Sequence, residues 1–247
     1  MMASVEDKLW HKMRGDLARY APEIAGNRLL MCCACGRRLP REAFDLEHLI
    51  PQQALKQDPD VVRVNPFTPA NVRAGNLLLC KKPLILKGTR VCGNGCNGWK
   101  GRFYDKPISE LVSGSALEAG GRLTDRHIIA ALALGYLAMV AAFGYAVALM
   151  RSGLLMREQF FSPNKFHRSL SLRHQMVLGG PAPTLPDARM WTSPFSFSFE
   201  NRACTVGARN FAILLPVSRD PREPLARHLR FAPSKFKLRP DFTTVFD

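Results

Sequence analysis

Negative charge is scarce in this chain. Twenty Asp and Glu face thirty-five Lys and Arg over 247 residues, a formal net charge of +15. Such an imbalance suits a polyanionic partner, either nucleic acid or an acidic membrane surface. The opening MMASVEDKLW lacks an apolar core. It therefore argues against a secretory leader and for a reducing, cytoplasmic setting. In that setting the seven cysteines are read as metal ligands or core thiols, not as disulfides. No internal repeat and no low-complexity tract occurs, which sets aside solenoids and disordered chains. Only one apolar stretch is long enough to cross a bilayer as a helix.

What is present is a globular composition, nearly half apolar with an ordinary share of charge, and long enough for a sizeable core. Residues 4–20 carry Val5, Leu9, Trp10, Met13, Leu17 and Tyr20 at helical spacing. Ser4 and Asp7 stand there like a capping box, which predicts an amphipathic first helix within residues 1–28. From 29 to 113 short apolar runs, glycines and most of the cysteines alternate, as in a small metal-stapled hairpin followed by a helix.

The uncharged stretch 128–150 predicts an apolar helix, within a connector spanning 120–157. Its alanines, Gly135, Gly144 and two tyrosines favour a helix buried in protein over one in lipid. Residues 158–247 read as a second, mixed or strand-rich lobe: FSFSFE alternates, FAILLPV is a continuous apolar run, and GGPAPTLPD marks a loop. The fold class expected is α+β.

Cys32 and Cys35 have the spacing of a zinc knuckle, with Gly36 to close the turn. Cys92 and Cys96, separated by Gly-Asn-Gly, form a second pair. Two such pairs make a closed tetrathiolate, which is structural because water has no coordination position from which to react. Cys80 competes with Cys92 for the third corner, and the shortness of the glycine-bearing loop favours Cys92. Cys33 and Cys204 are read as ordinary thiols, and Trp99 as a core anchor.

Between the knuckles lie Glu47-His48 in FDLEHLIPQ, then Asn76 before an apolar run, then Asn97 in CNGWKG. In this order the motifs resemble the HNH endonuclease family, over roughly residues 29–105. The resemblance implies a ββα-metal hairpin and helix braced by zinc. By position it assigns His48 as general base, Glu47 and Asn97 as ligands of a catalytic divalent ion such as Mg2+, and Asn76 as the brace of the loop holding the base. It further implies DNA cleavage leaving a 5′-phosphate. Three departures stand out: the usual glycine pair after the His-hydrophobic-Pro segment is missing, the interval from His48 to Asn76 is long, and KKPLILKGTRV is inserted between Cys80 and the second knuckle.

The residue types suit the chemistry. Phosphodiester hydrolysis needs a water deprotonated on one side of phosphorus and a cation opposite, at the leaving oxygen. A neutral imidazole, with a reference pKa of ~6.5, suits the first task. Hard oxygen donors suit the second. Neighbouring strand residues face opposite ways, so the strand carrying Glu47 and His48 is expected to end or bend there, with Pro51 and QQALKQDPD leading into a loop. Asn97 is expected at a helix N-terminus, and Lys100 and Arg102 at backbone phosphates. The expected partner is DNA, with RNA left open and a homodimer following from double-strand cutting. The rival readings are a zinc-stapled nucleic-acid-binding module that does not cut, and a membrane-tethered nuclease.

Overall fold

The computed structural model describes residues 4–57, 76–117, 123–167, 175–178, 194–200, 203–216 and 240–246. Helix α1 (Val5–Ala18) starts where the spacing anticipates, with Ser4 Oγ accepting the Asp7 amide at 3.1 Å. It buries Trp10, Met13 and Leu17, and the Trp10 ring lies 5.7 Å from that of Phe44. A short α2 (Pro22–Gly26) leads to β1 (Leu30–Met31), which pairs with β2 (Arg38–Leu39). The first knuckle is the turn between those two strands. Gly36, at φ +80, lets it close, and its amide donates to the Cys32 carbonyl at 2.9 Å.

Strand β3 (Phe44–His48) runs antiparallel to β4 (Asn76–Cys80), with His48 opposite Asn76 and Glu47 opposite Leu77. Between them, the first residues of the expected polar loop form α3 (Gln52–Gln57) instead. Pro51 precedes its first turn, where the missing N–H costs no hydrogen bond. The rest of QQALKQDPD, residues 58–60, lies outside the described residues.

The insertion after Cys80 folds into a hairpin of β5 (Leu84–Leu86) and β6 (Thr89–Cys92). Helices α4 (Gly95–Phe103) and α5 (Asp105–Ser113) follow.

The apolar stretch is not one helix. It forms most of α6 (Asp125–Phe143) and all of α7 (Tyr145–Leu149), broken at Gly144, whose φ of +77 no helix accommodates, and α8 (Arg151–Phe160) follows it. It also packs onto the first knuckle. Tyr136 Oη donates to the Cys33 carbonyl at 2.6 Å, and Tyr145 Oη to the Met31 carbonyl, so both tyrosines end on the first knuckle. Helix α6 is long and apolar enough to cross a membrane, but 72% of its apolar window is buried within the protein. An all-round apolar helix needs cover, and here the rest of the chain supplies it.

Four antiparallel strands follow: β7 (Gln175–Leu178), β8 (Phe195–Glu200), β9 (Ala203–Ala208) and β10 (Phe211–Pro216), in the order β7-β10-β9-β8. FSFSFE behaves as its alternation predicts, with half-buried phenylalanines and exposed partners. Phe197 and Phe199 close edge-on against Phe143, their ring centroids 4.9 and 5.1 Å away. The sheet lies against α6 at Gly135, where an added Cβ would sit 2.8 Å from Leu215 Cδ1 and 2.9 Å from Ile213 Cγ2. The loop GGPAPTLPD lies outside the described residues. Residues 240–246 return to the first knuckle, where the Val245 amide donates to the Cys35 carbonyl at 3.2 Å. One buried cluster therefore runs from α1 through the knuckle and α6 to β10. The fold is mixed α and β, and its sheets are small.

Candidate metal centre and active site

Three sulfurs meet at the base of β1, β2 and α4. Sγ atoms of Cys32, Cys35 and Cys96 lie within 4.8 Å of one another, all three residues buried, and Cys32 Sγ is 3.7 Å from Cys96 Sγ. This group could hold a metal ion. Cys80 stands beside it, close enough to Cys35 and Cys96 for their thiols to shift its own, and its Sγ lies 3.2 Å from Arg37 Nη2. Cys92, which loop length favours, is half-buried at the end of β6 and does not join the group.

Gly95 supplies the reason. At φ +64 it brings the second knuckle against the Cys80 carbonyl and to within 2.7 Å, measured from an ideal Cβ, of the Lys81 carbonyl carbon. The backbone approach seats Cys96 beside Cys80, and the intervening hairpin carries Cys92 away. Cys33 faces elsewhere, its thiol pushed up to about 12 by burial.

Protonation within the group is uneven. Burial raises Cys32 and Cys96 well above the ordinary thiol range, whereas hydrogen bonds from Cys32, Cys80 and Cys96 hold Cys35 well below it. Contact with Cys35 raises Cys80 to about 11. Arg37 adds positive charge at the same place, with Nε 3.5 Å from Cys35 Sγ and Nη2 3.2 Å from Cys80 Sγ. Its guanidinium also donates to the carbonyls of Lys82 and Pro83, each at 2.9 Å. Motif spacing gave no sign of Arg37; the only local signal is two arginines straight after the knuckle glycine.

The second cluster lies where α4 crosses the end of β3. Asn97, in the first turn of α4, donates through Nδ2 to the Leu46 carbonyl at 3.3 Å. Lys100, one turn on, donates through Nζ to Glu47 Oε1 at 2.7 Å, to Asp105 Oδ1 at 2.6 Å and to the His48 carbonyl at 3.0 Å. Only 1% of the Lys100 side chain is exposed. It is therefore a buried ion-pair partner and not the phosphate contact its motif position suggests. Burial raises the Glu47 carboxyl above its ordinary range, and Lys100 opposes that rise.

β3 ends at His48, bends over residues 49–50 and meets Pro51. Strand alternation directs Glu47 and His48 to opposite sides. His48 is half-buried, with Gln52 Nε2 3.4 Å from its Nε2, a neighbour the motif did not indicate. Asn76 takes the register position directly across from it. Arg102 is exposed, its guanidinium 5.2 Å from the Phe103 ring centroid. Trp99 is an anchor as expected: Nε1 donates to the Phe160 carbonyl at 2.9 Å, and its ring meets those of Phe103 and Phe161.

The two centres differ in their readiness for an ion. Three thiols around one point, with Cys80 and Arg37 beside them, suit a soft cation that takes sulfur ligands. Glu47 and Asn97 offer oxygen donors of the right chemistry for Mg2+, but the Glu47 carboxylate is already neutralised by Lys100. As arranged, this pair does not fit a divalent ion.

No family model, no curated protein and no solved structure matches this chain.

Proposed function

We propose that the chain is a nuclease of the HNH class, hydrolysing phosphodiester bonds of DNA, with a structural zinc held by Cys32, Cys35, Cys80 and Cys96. The observation that carries this reading is the convergence of distant motifs. An antiparallel pair ends in Glu47-His48, and a helix starting at the second knuckle brings Asn97 and Lys100 onto that end through the Leu46 and His48 carbonyls. His48 is the residue to take a proton from the attacking water, and Asn76 occupies the position opposite to brace it. Lys100 fixes the β3 end by its bonds to Glu47 and the His48 carbonyl. Arg102, exposed on α4, is placed to meet backbone phosphate.

No step is assigned to a divalent ion, because Glu47 is engaged by Lys100. The zinc is assigned a bracing role, since four thiolates close its coordination sphere.

Incubation of the protein with supercoiled plasmid, with and without Mg2+ or Mn2+, beside His48→Ala, tests the assignment. Wild type should nick, and the variant should lose about 10²-fold or more of the rate. Equal nicking by both would remove His48 from the chemistry. Zinc content without any nicking would favour a binding module that does not cut.

A further inference from the structure

The β5–β6 hairpin is the part of the chain that the metal centre and the active site leave unexplained. Among the described residues three large apolar side chains are exposed, and two of them, Ile85 at 53% and Leu86 at 41%, sit side by side on this hairpin. Residues 85–90 are exposed without interruption. From 81 to 92 the chain carries Lys81, Lys82, Lys87 and Arg90 and no acidic residue. Lys81 turns back to Asp45, 3.1 Å away, while Lys82, Lys87 and Arg90 stand on the exposed surface.

Lys87-Gly88, at φ +47 and +79, make the tight turn that right-twisted strands prefer. Among the described residues its two strands pair only with each other. Such an isolated ribbon is marginal in water unless something anchors it. Here the root is anchored: Leu84 is fully buried, and Arg37 grips the Lys82 and Pro83 carbonyls while touching the sulfurs of Cys35 and Cys80. The arm is rigid at its base and apolar and cationic at its tip.

We propose that this hairpin is a DNA-gripping arm that enters the major groove of duplex DNA. Lys82, Lys87 and Arg90 meet phosphates there, and one of Ile85 and Leu86, which strand alternation sets on opposite faces of the ribbon, meets apolar base edges. A two-stranded ribbon fits the B-form major groove, about 12 Å wide, where thymine methyl groups offer apolar contact. The positive flanks match the phosphate walls in sign. The inference rests on the nucleic-acid reading above, but not on catalysis.

Binding of a short labelled DNA duplex, measured by fluorescence anisotropy in the His48→Ala background without added Mg2+, tests it. The double variant Lys87→Ala/Arg90→Ala should bind more weakly and lower the slope of log K against log salt by about 2. Ile85→Ser/Leu86→Ser should weaken binding about tenfold and leave the slope unchanged. All four positions are exposed, so thermal melts should stay at the value of the parent.

Unchanged affinity and slope in both variants would overturn the arm, as would a parent protein that does not bind duplex DNA. An RNA duplex bound equally well, with the same dependence on the tip, would also overturn it, because the A-form major groove is too deep and narrow for a ribbon. If wild type fails to nick plasmid while the arm variants lose binding, catalysis falls and the arm stands. If nicking holds and the variants bind normally, the arm alone falls.

Discussion

Lys100 shows how far a side chain's role can depart from its motif position. A surface lysine touching phosphate would tolerate replacement at a cost within about 0.5 kcal/mol of stability. Buried between Glu47 and Asp105, it should not. Lys100→Met is expected to leave Glu47 without its cation and to cost about 3–5 kcal/mol, read as a fall in the midpoint of chemical denaturation. A midpoint unchanged from wild type would return Lys100 to the surface.

Asp16 makes a second prediction at this scale. It accepts the Tyr145 amide, yet burial raises its carboxyl above the ordinary range. The folded state therefore holds that proton to higher pH than the unfolded state does. The resulting stability is complete below the unfolded pKa of ~3.9 and is lost as pH rises through the raised value. Asp16→Asn keeps an acceptor and cannot ionise. Thermal melts from about pH 4 upward should show wild type losing stability relative to the variant. A difference that stays flat, or runs the other way, would contradict the assigned shift.

At the scale of elements, Gly95 decides which cysteines meet. Its positive φ and its backbone contact with β4 leave no space for a side chain, and backbone atoms cannot swing aside as a flexible side-chain end can. Gly95→Ala is expected to cost about 1–2 kcal/mol from the left-handed conformation alone. The steric displacement adds to that cost and should separate Cys96 from Cys80. Bound zinc, measured by elemental analysis after gel filtration, should fall well below one per chain. Stoichiometric zinc in a stable variant would mean that the approach of Gly95 to Cys80 is unimportant. At the same scale, the first helix and the FSFSFE strand were legible because cap chemistry and two-residue alternation are local signals. The break at Gly144 was not, since a glycine inside an apolar run fits a buried helix as well as a kink.

For the whole molecule, the C-terminal segment and Arg157 tie the metal centre to the rest of the chain. Arg157 is fully buried on α8. Its Nη1 donates to the Thr243 carbonyl at 2.8 Å and its Nη2 to the Asp241 carbonyl at 3.2 Å. The Asp241 amide in turn donates to the Leu149 carbonyl at 2.8 Å, and Phe246 packs on Phe161 with centroids 4.6 Å apart. Removing residues 240–247 should strand a buried guanidinium, at a cost of about 3–5 kcal/mol. It should also release zinc to a chelator faster, because Val245 no longer holds the Cys35 carbonyl. Colorimetric zinc release at matched temperature tests this, and a rate equal to that of wild type would separate the tail from the knuckle.

The sequence by itself determined what depends on residue type and short spacing: the basic character, the paired cysteines, the capped first helix, the alternating strand, and the order of motifs that suggests phosphodiester chemistry. Tertiary structure alone decided which distant groups share a place. It set Cys80 in preference to Cys92 beside Cys35 and Cys96. It turned Lys100 inward onto Glu47, covered α6 with protein, and left Ile85 and Leu86 in water. The reason is physical: ligand sets, buried ion pairs and exposure depend on which surfaces exclude water together, and elements far apart in the chain jointly form those surfaces.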